Sequence, residues 1–358
     1  MTPPFISGTL QDGLWIKKVP SKYTANQIAE YLSAIEYEPI YDTEAIASGN
    51  FPVNLDTLTR LTRLHLLTFP FENTAMHYTS DHAMDVTPEG LFERLVKRRG
   101  GSYCFGQNGL LLEMLRGLGF RAYGANGRTN VATAGNAYTY TASATHLVIL
   151  VQPSVNSNQT YVCDVGYGPS NVTRPLLLSN HPDNVIVGLS ETERHRLTRS
   201  PRPDSSVAYS QDHTTTAGDQ WNMEVWHRKP DASEGVWRIQ YSFSESEIFP
   251  SDCSFASYGV SQRPAPRSFL WTGVICLKLF TIDEGNLHLE KSKRPMYRLT
   301  LFGKEVWKTS GPNKEVVHTL ETESDRIKAL RDYFGLDLKD EDVVHIAGRA
   351  PAYAVKGA

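Results

Sequence analysis

The chain has 358 residues, 40% of them hydrophobic and 21% charged, with a formal net charge of −3. That length is long for one hydrophobic core and predicts two or three packed domains of an ordinary folded chain. The near balance of charge excludes a global field that would recruit nucleic acid or an anionic membrane.

The four cysteines, Cys104, Cys163, Cys253 and Cys276, form no C-x-x-C pair, so the usual zinc and dithiol signatures are absent and no metal is expected. The N-terminal MTPPFISGTLQDGLWIKK lacks the basic start and apolar run of a secretory signal. No apolar stretch reaches the ~18 residues of a membrane span. A cytoplasmic location, where free thiols persist, is the expectation.

The first third reads as helical. Thr24 and Gln27 form a capping box before Ile28, Tyr31, Leu32 and Ile35. Asp56 is read as the cap of a second helix, with Leu58, Leu61, Leu64 and His65 on one side, and Phe69-Pro70 as its end. Thr87-Pro88 opens a third helix, whose last turn carries Lys97 and Arg98. After Gly100-Gly101, a fourth is predicted from Cys104 to Arg116, stopped at Gly117.

The pattern then changes. THLVILV, TYVCDV, NVIVGL, WNMEVWH, VWRIQYSF, VICLKLF and MYRLTLF are strand-like runs separated by Gly, Asn, Asp and Pro, and they predict a β-barrel or meander. The polar stretch 201–219 reads as a surface insertion. Ser324 is read as the cap of a last helix through Ile327, Leu330 and Phe334, ending at Gly335. The fold class expected is α+β: an N-terminal helical bundle (1–119), a central β-barrel (120–235), and a C-terminal α/β lid closed by that helix (236–358).

Three residues stand out chemically. Cys104 follows two glycines and starts a helix, where oriented N–H groups and the positive dipole end favour a thiolate. A thiol there also suits a small core residue. His146 begins the run HLVILV, and Asp164 follows YVC and precedes a Gly-x-Gly turn. The linker QPSVNSNQ makes the two strands hairpin neighbours and brings His146 and Asp164 to one end. A nucleophile, a base and an orienting carboxylate are what such chemistry needs. Read as residues alone, Asp164 equally caps a turn. A cysteine hydrolase or transglutaminase-like enzyme, and a barrel-shaped binding protein with an inert thiol, stay open.

RGGSYCFGQN resembles the arylamine N-acetyltransferase signature R-G-G-x-C-x-x-x-N, with Asn108 four residues after the cysteine. FPFENTAMH resembles the family's PFEN segment at Pro70-Phe71-Glu72-Asn73. THLVILV and YVCDVGYG match the segments of the family histidine and aspartate, in the family order. SFLWTGVICLKL and SDRIKALRDYFGLDL are also similar, so the likeness runs over 23–338. One departure is that Ser102-Tyr103 stands where the family has a single residue. The segment 178–219 is also longer than in the shorter bacterial members, as in the fungal branch.

The resemblance implies a papain- or transglutaminase-like Cys104–His146–Asp164 triad. It implies a ping-pong transfer of an acyl group (acetyl, propionyl or malonyl) from acyl-coenzyme A to an aromatic amine, hydrazine or hydroxyarylamine. It places Thr145 and Tyr167 at the aryl pocket, and Gly166, Gly168, Tyr258 and Ser268 near coenzyme A. Cys163 is expected to point opposite to Asp164 into the core, and Arg99 to structure its loop. Oligomeric state is left open.

Overall fold

The computed structural model describes residues 8–130, 143–202, 205–207, 219–229, 232–264 and 268–353. The interior of the stretch expected as a surface insertion lies outside them.

The helices come first. α1 (Ala25–Ala34) carries the expected reciprocal box between Thr24 and Gln27 and buries Ile28, Tyr31 and Leu32. A short α2 (Thr43–Ala47), capped by Asp42, was not anticipated. α3 (Leu55–Thr68) is capped by Asn54, not Asp56: Asn54 accepts from the Thr57 N–H at 2.9 Å. Asn54 keeps extended dihedrals just before the helix, whereas Asp56 already lies in the first turn, where its charge suits the positive dipole end. β1 (Phe71–Glu72) follows at once. α4 (Pro88–Leu91) has the predicted Thr87 cap and runs on as a π-helical turn, Phe92–Lys97. α5 (Cys104–Gly117) runs past the expected stop. Gly119, at φ 95°, takes the left-handed position that was assigned to Gly117.

Eight strands then form one antiparallel sheet: β2 (Arg121–Thr129), β3 (His146–Gln152), β4 (Tyr161–Cys163), β5 (Leu176–Leu177), β6 (Val185–Val187), β7 (Glu193–Pro201), β8 (Asp219–His227) and β9 (Val236–Glu247). Their spatial order is β5-β4-β3-β2-β9-β8-β7-β6. The sheet is nearly closed, because side chains bridge its two edges. Asn184 Nδ2 donates to the Leu177 carbonyl at 2.9 Å, and Thr173 Oγ1 to that of Gly188 at 3.3 Å. Val148, Leu150, Val162, Leu197, Trp221, Met223, Tyr241 and Phe243 fill one common core. The division expected at residue 235 needs correction on this point. β9 starts there, yet it pairs with β8 and β2, so the sheet reaches Glu247.

α6 (Pro250–Ser261) and α7 (Phe269–Thr272) lead to a second sheet. β10 (Ile275–Thr281), β11 (Met296–Phe302), β12 (Glu305–Ser310) and β13 (Asn313–Thr319) continue from β1 in the order β1-β10-β11-β12-β13. β1 therefore ties the N-terminal third to the C-terminal sheet, with Phe71 opposite Leu277 and Glu72 opposite Cys276. α8 (Glu323–Phe334) covers that sheet. Its cap is Thr322, boxed with Asp325, rather than Ser324, and Gly335 ends it at φ 73°.

The PFEN motif owes its residues to this junction. Asn73 Nδ2 donates to the carbonyls of Leu270 and Gly273 at 2.8 and 2.9 Å, and its Oδ1 accepts from Ile275 N–H at 2.9 Å. One side chain thus fixes the entry of β10. Behind it runs a buried polar chain. Tyr31 Oη lies 3.1 Å from His65 Nδ1, His65 Nε2 lies 2.8 Å from Gln107 Oε1, and Gln107 Nε2 donates to the Pro70 carbonyl at 2.5 Å. Burial pushes the His65 pKa down to about 4, so the chain runs on a neutral imidazole.

A second polar knot joins the sheets. Glu193 on β7 is buried, accepts from Leu189 N–H at 3.0 Å, and sits 3.2 Å from His227 Nε2 and 3.9 Å from an Arg298 nitrogen. Burial alone would raise its pKa. The His227 hydrogen bond, the Arg298 charge and the Leu189 N–H outweigh that and hold it at about 2. A depressed carboxylate stabilises the fold above its unfolded pKa and loses that contribution as pH falls from about 4.5 to about 2. The shift is worth about 3 kcal/mol. Glu193→Gln is therefore expected to destabilise the protein at about pH 6 and to cost much less near pH 2.5. Denaturant unfolding at the two pH values checks this, and an equal loss at both would show that the charge is not responsible.

Candidate active site

The N-terminus of α5 points the Cys104 sulfur at the end of the β3–β4 hairpin. Ile149 faces Cys163 across that hairpin, which sets His146 and Asp164 side by side. His146 Nε2 and Asp164 Oδ2 are 2.7 Å apart and both residues are buried. Cys104 Sγ lies 3.5 Å from the carbonyl of Thr145, the residue before His146, close enough to help raise the His146 pKa. The hairpin reading of the sequence and this geometry agree.

Asp164 is 1% exposed, so its charge needs several donors. Besides His146, Asn108 Nδ2 and the Gly166 N–H reach its Oδ1, each at 2.8 Å. Asn108 Oδ1 accepts from Val165 N–H at 2.8 Å, and Asn108 Nδ2 also reaches the Leu147 carbonyl at 2.6 Å. Asn108 stands one helical turn after Cys104, so one face of α5 holds both the sulfur and the donor that steadies the carboxylate. Burial on its own would raise the Asp164 pKa, but His146, Asn108 and Gly166 lower it. Burial would likewise depress His146, and the Asp164 charge and hydrogen bond, with the Cys104 sulfur, raise it instead. Both shifts favour the charged forms of the pair.

The residues expected around this trio divide. Tyr167 is there: its ring meets His146 edge-on at 5.6 Å and tilts over Tyr241 at 5.1 Å. Its hydroxyl donates to the Gln240 carbonyl at 3.0 Å, so that proton is already committed. Thr145 precedes β3, and its carbonyl faces the sulfur. Gly166 packs on α5, and Gly168, at φ 89°, backs onto the Phe71 ring. Tyr258 lies on α6 and is 55% exposed, next to Ser257, whose carbonyl accepts from the buried Tyr103 hydroxyl at 3.3 Å. Ser268 is the N-cap residue of α7 but makes no side-chain cap bond.

The two-residue spacer before Cys104 is held at both residues. Ser102 exchanges backbone bonds with Pro70 and Glu72 at 3.3 and 3.1 Å, and Tyr103 anchors α6. Cys163 points into the helical core, opposite Asp164, as alternation requires. Arg99 reaches the Ala34 carbonyl and so ties its loop to α1.

Two neighbours were missed. Tyr241 is buried 4.6 Å from the His146 ring, and its hydroxyl faces the Asp164 carboxylate without reaching good hydrogen-bond geometry. Burial first, then that carboxylate, pushes its ionisation far up. Asn171 holds the loop after Asp164: its Nδ2 donates to the Asp164 carbonyl at 2.6 Å and its Oδ1 accepts from Tyr167 N–H at 2.8 Å. The alternation of Ile239, Tyr241 and Phe243 was the available signal for the first. Asn171 looked like one more turn former. Among the described residues no cluster of three or more His, Cys, Asp or Glu side chains is arranged to hold a metal ion, and no helix is long and apolar enough to cross a membrane.

The site combines a cysteine at a helix start with a buried histidine–carboxylate pair, on a mixed helix and sheet fold. The family profile described as N-acetyltransferase matches residues 54–343. The N-malonyltransferase FDB2 of Fusarium pseudograminearum is 28% identical over 346 residues, covering 93% of this chain and 95% of that protein. An arylamine N-acetyltransferase of Mycolicibacterium smegmatis is 27% identical, over 86% of this chain and 93% of its own. The chain shares its fold with the arylamine N-acetyltransferase of Mycobacterium marinum in complex with CoA, at a TM-score of 0.64, 24% identity and 90% and 95% coverage. The Mycobacterium abscessus enzyme superposes at 0.66, with 22% identity and 92% and 98% coverage. The chain belongs to the arylamine N-acetyltransferase family and is an acyltransferase.

Gly166 offers a direct check on the geometry. A Cβ there would sit 2.6 Å from Cys104 Cα and 2.8 Å from Asn108 Nδ2. Gly166→Ala must push α5 and the hairpin apart, at an expected cost of about 1–3 kcal/mol. Denaturant unfolding measures that cost, and the rate of Cys104 alkylation by iodoacetamide is expected to fall with it. Unchanged stability and labelling would mean that the two segments do not pack this closely.

Proposed function

We propose that this acyltransferase moves an acyl group from acyl-coenzyme A to an aromatic amine, hydrazine or hydroxyarylamine through an acyl-Cys104 intermediate. The observation that carries the reading is the buried His146–Asp164 pair against the Cys104 sulfur. The acyl donor is acetyl-, propionyl- or malonyl-coenzyme A, and the N-malonyltransferase relatives favour malonyl. Cys104, His146 and Asp164 are the catalytic residues of a papain- or transglutaminase-like site. They are carried by an N-terminal helical bundle (1–119) and a central barrel, under a C-terminal α/β lid. The chain works in the cytoplasm.

In the first half-reaction the Cys104 sulfur attacks the thioester carbonyl. The carbon–sulfur bond to coenzyme A breaks, and His146 gives its proton to the departing thiolate. N–H groups at the start of α5, whose N-cap residue Tyr103 makes no side-chain cap bond, stabilise the tetrahedral oxyanion. In the second, the amine nitrogen attacks the acyl-cysteine carbonyl. His146 takes the amine proton, and the Cys104 sulfur leaves as thiolate. Thioester exchange is nearly isoenergetic, while amide formation from a thioester is downhill, so the second step drives turnover. Asp164 holds Nε2 and leaves Nδ1 for the sulfur and the amine. Thr145 and Tyr167 border the aryl pocket. Gly166, Gly168, Tyr258 and Ser268 lie toward coenzyme A.

Intact-mass spectra after mixing with acetyl- or malonyl-coenzyme A are expected to show a single acyl adduct, and Cys104→Ala none. An adduct that survives in Cys104→Ala moves the nucleophile elsewhere. Asp164→Asn is expected to fold and to lose on the order of 10²–10⁴-fold in turnover. Because Asp164 is what raises His146, the same substitution is expected to slow iodoacetamide labelling of Cys104 at about pH 6 far more than at about pH 9. Labelling that is equally slow at both would separate misfolding from the loss of charge.

A further inference from the structure

Tyr167 borders the reacting atoms; Asn171 ties its N–H to the Asp164 carbonyl, yet none of the bonds around the catalytic trio fixes its ring. Its hydroxyl rests on the Gln240 carbonyl. The loop that carries it turns at Ser170, a non-glycine residue in the left-handed region at φ 60°. Such a conformation persists only where the surroundings impose it.

Three strands converge on Ser170. From β7, His195 Nε2 donates to the Ser170 carbonyl at 2.9 Å. From β9, Gln240 Nε2 donates to the same oxygen at 2.8 Å. From β8, His227 Nε2 lies 3.2 Å from Ser170 Oγ and, equally, 3.2 Å from Glu193 Oε2. His195 is fully buried, and its Nδ1 has no partner. Only the neutral Nε2–H form fits: a proton on Nδ1 would be a buried, unsatisfied donor beside His227 and Arg298. Burial lowers the His195 pKa in keeping with this, although Glu193 pulls the other way. Glu193 stands behind both histidines, 3.9 Å from Arg298 of the C-terminal sheet.

We propose that His195 and Gln240 are positioning residues for the acyl-acceptor pocket: by clamping the Ser170 carbonyl they hold Tyr167 where an aromatic amine must dock. The inference rests on the acyl-Cys104 reading above. It separates two functions of one loop. Asp164 at its start is held by α5, His146 and Gly166. Asn171 ties the Tyr167 backbone to Asp164, but the Tyr167 ring and hydroxyl are held from the far side of the barrel, through Ser170 and Gln240. Loosening the clamp should therefore disturb the amine half-reaction and spare acylation.

The test splits the two half-reactions. Single-turnover acylation of Cys104 by acetyl- or malonyl-coenzyme A is followed by mass, and the acyl-enzyme is then mixed with increasing aniline. In His195→Leu the acylation rate is expected to stay within about threefold of wild type, while half-saturation by aniline rises about tenfold or more. His195→Gln, whose amide nitrogen can replace Nε2 as a donor, is expected to restore most of that loss. If His195→Leu does not fold, Gln240→Met removes the other donor, keeps the backbone carbonyl that Tyr167 uses, and should act in the same direction. Unchanged half-saturation in a folded variant overturns the inference, and so does an equal fall of both half-reactions. A wild-type enzyme that forms no acyl-Cys104 removes the reading on which the inference stands, and the inference with it.

Discussion

The structure depends on keeping one negative charge where water cannot reach it. An unpaired carboxylate as buried as Asp164 would neutralise itself. It stays ionised because His146, Asn108 and the Gly166 N–H surround it at 2.7–2.8 Å. Each donor comes from a different piece of chain, so the charge binds α5, β3 and the loop after β4 into one unit. The same contacts explain why Gly166 tolerates no side chain, and why Asn108 follows Cys104 by one helical turn.

That unit is small and needs a frame. The helical core presses on one side of the β3–β4 hairpin, through Ile149, Val151 and Cys163. The barrel core presses on the other, through Val148, Leu150 and Val162. A strand buried on both faces reads as a continuous apolar run, which is why HLVILV shows no alternation. The C-terminal sheet is joined through β1 and Asn73, so the segment whose backbone pairs with Ser102 of the cysteine loop also orients β10. α6 comes to rest on Tyr103, one residue from the sulfur. Cys104 therefore sits where all three structural parts meet.

Much of this was legible in the sequence, and the rest was hidden for definite reasons. Capping signals near Thr24 and Thr87 are local, and they held. At Asn54 and Thr322 the sequence offered two adjacent polar candidates, and local chemistry alone does not choose between Asn54 and Asp56 or between Thr322 and Ser324. The backbone dihedrals do. The hairpin that pairs His146 with Asp164 was readable because its turn is short and its strands consecutive. The bond between β9 and β2 joins residues more than a hundred positions apart, and no pattern within VWRIQYSF announces its partner. β2, β7, β12 and β13 escaped for the related reason that their sequences mix polar and apolar residues to suit neighbours far along the chain, and β5 because it is only two residues long. Tyr241 and Asn171 reach the site through such long-range pairings and turns.

The same distinction separates the chemistry from the choice of substrate. Cys104, His146 and Asp164 are fixed by short-range devices: a helix start, a hairpin, and a glycine that lets two backbones touch. The Tyr167 ring beside them leans on distant strands: its hydroxyl meets the Gln240 carbonyl of β9, and β7, β8 and β9 all contact the Ser170 turn. A local device is hard to alter without losing the reaction. A remote one can change by a substitution in a strand that never meets the substrate, with Asp164, His146 and Cys104 left in place. On the proposed mechanism, a fold built this way would keep one acyl-transfer chemistry while the acceptor pocket varies, and the variation need not appear at the residues that line the pocket.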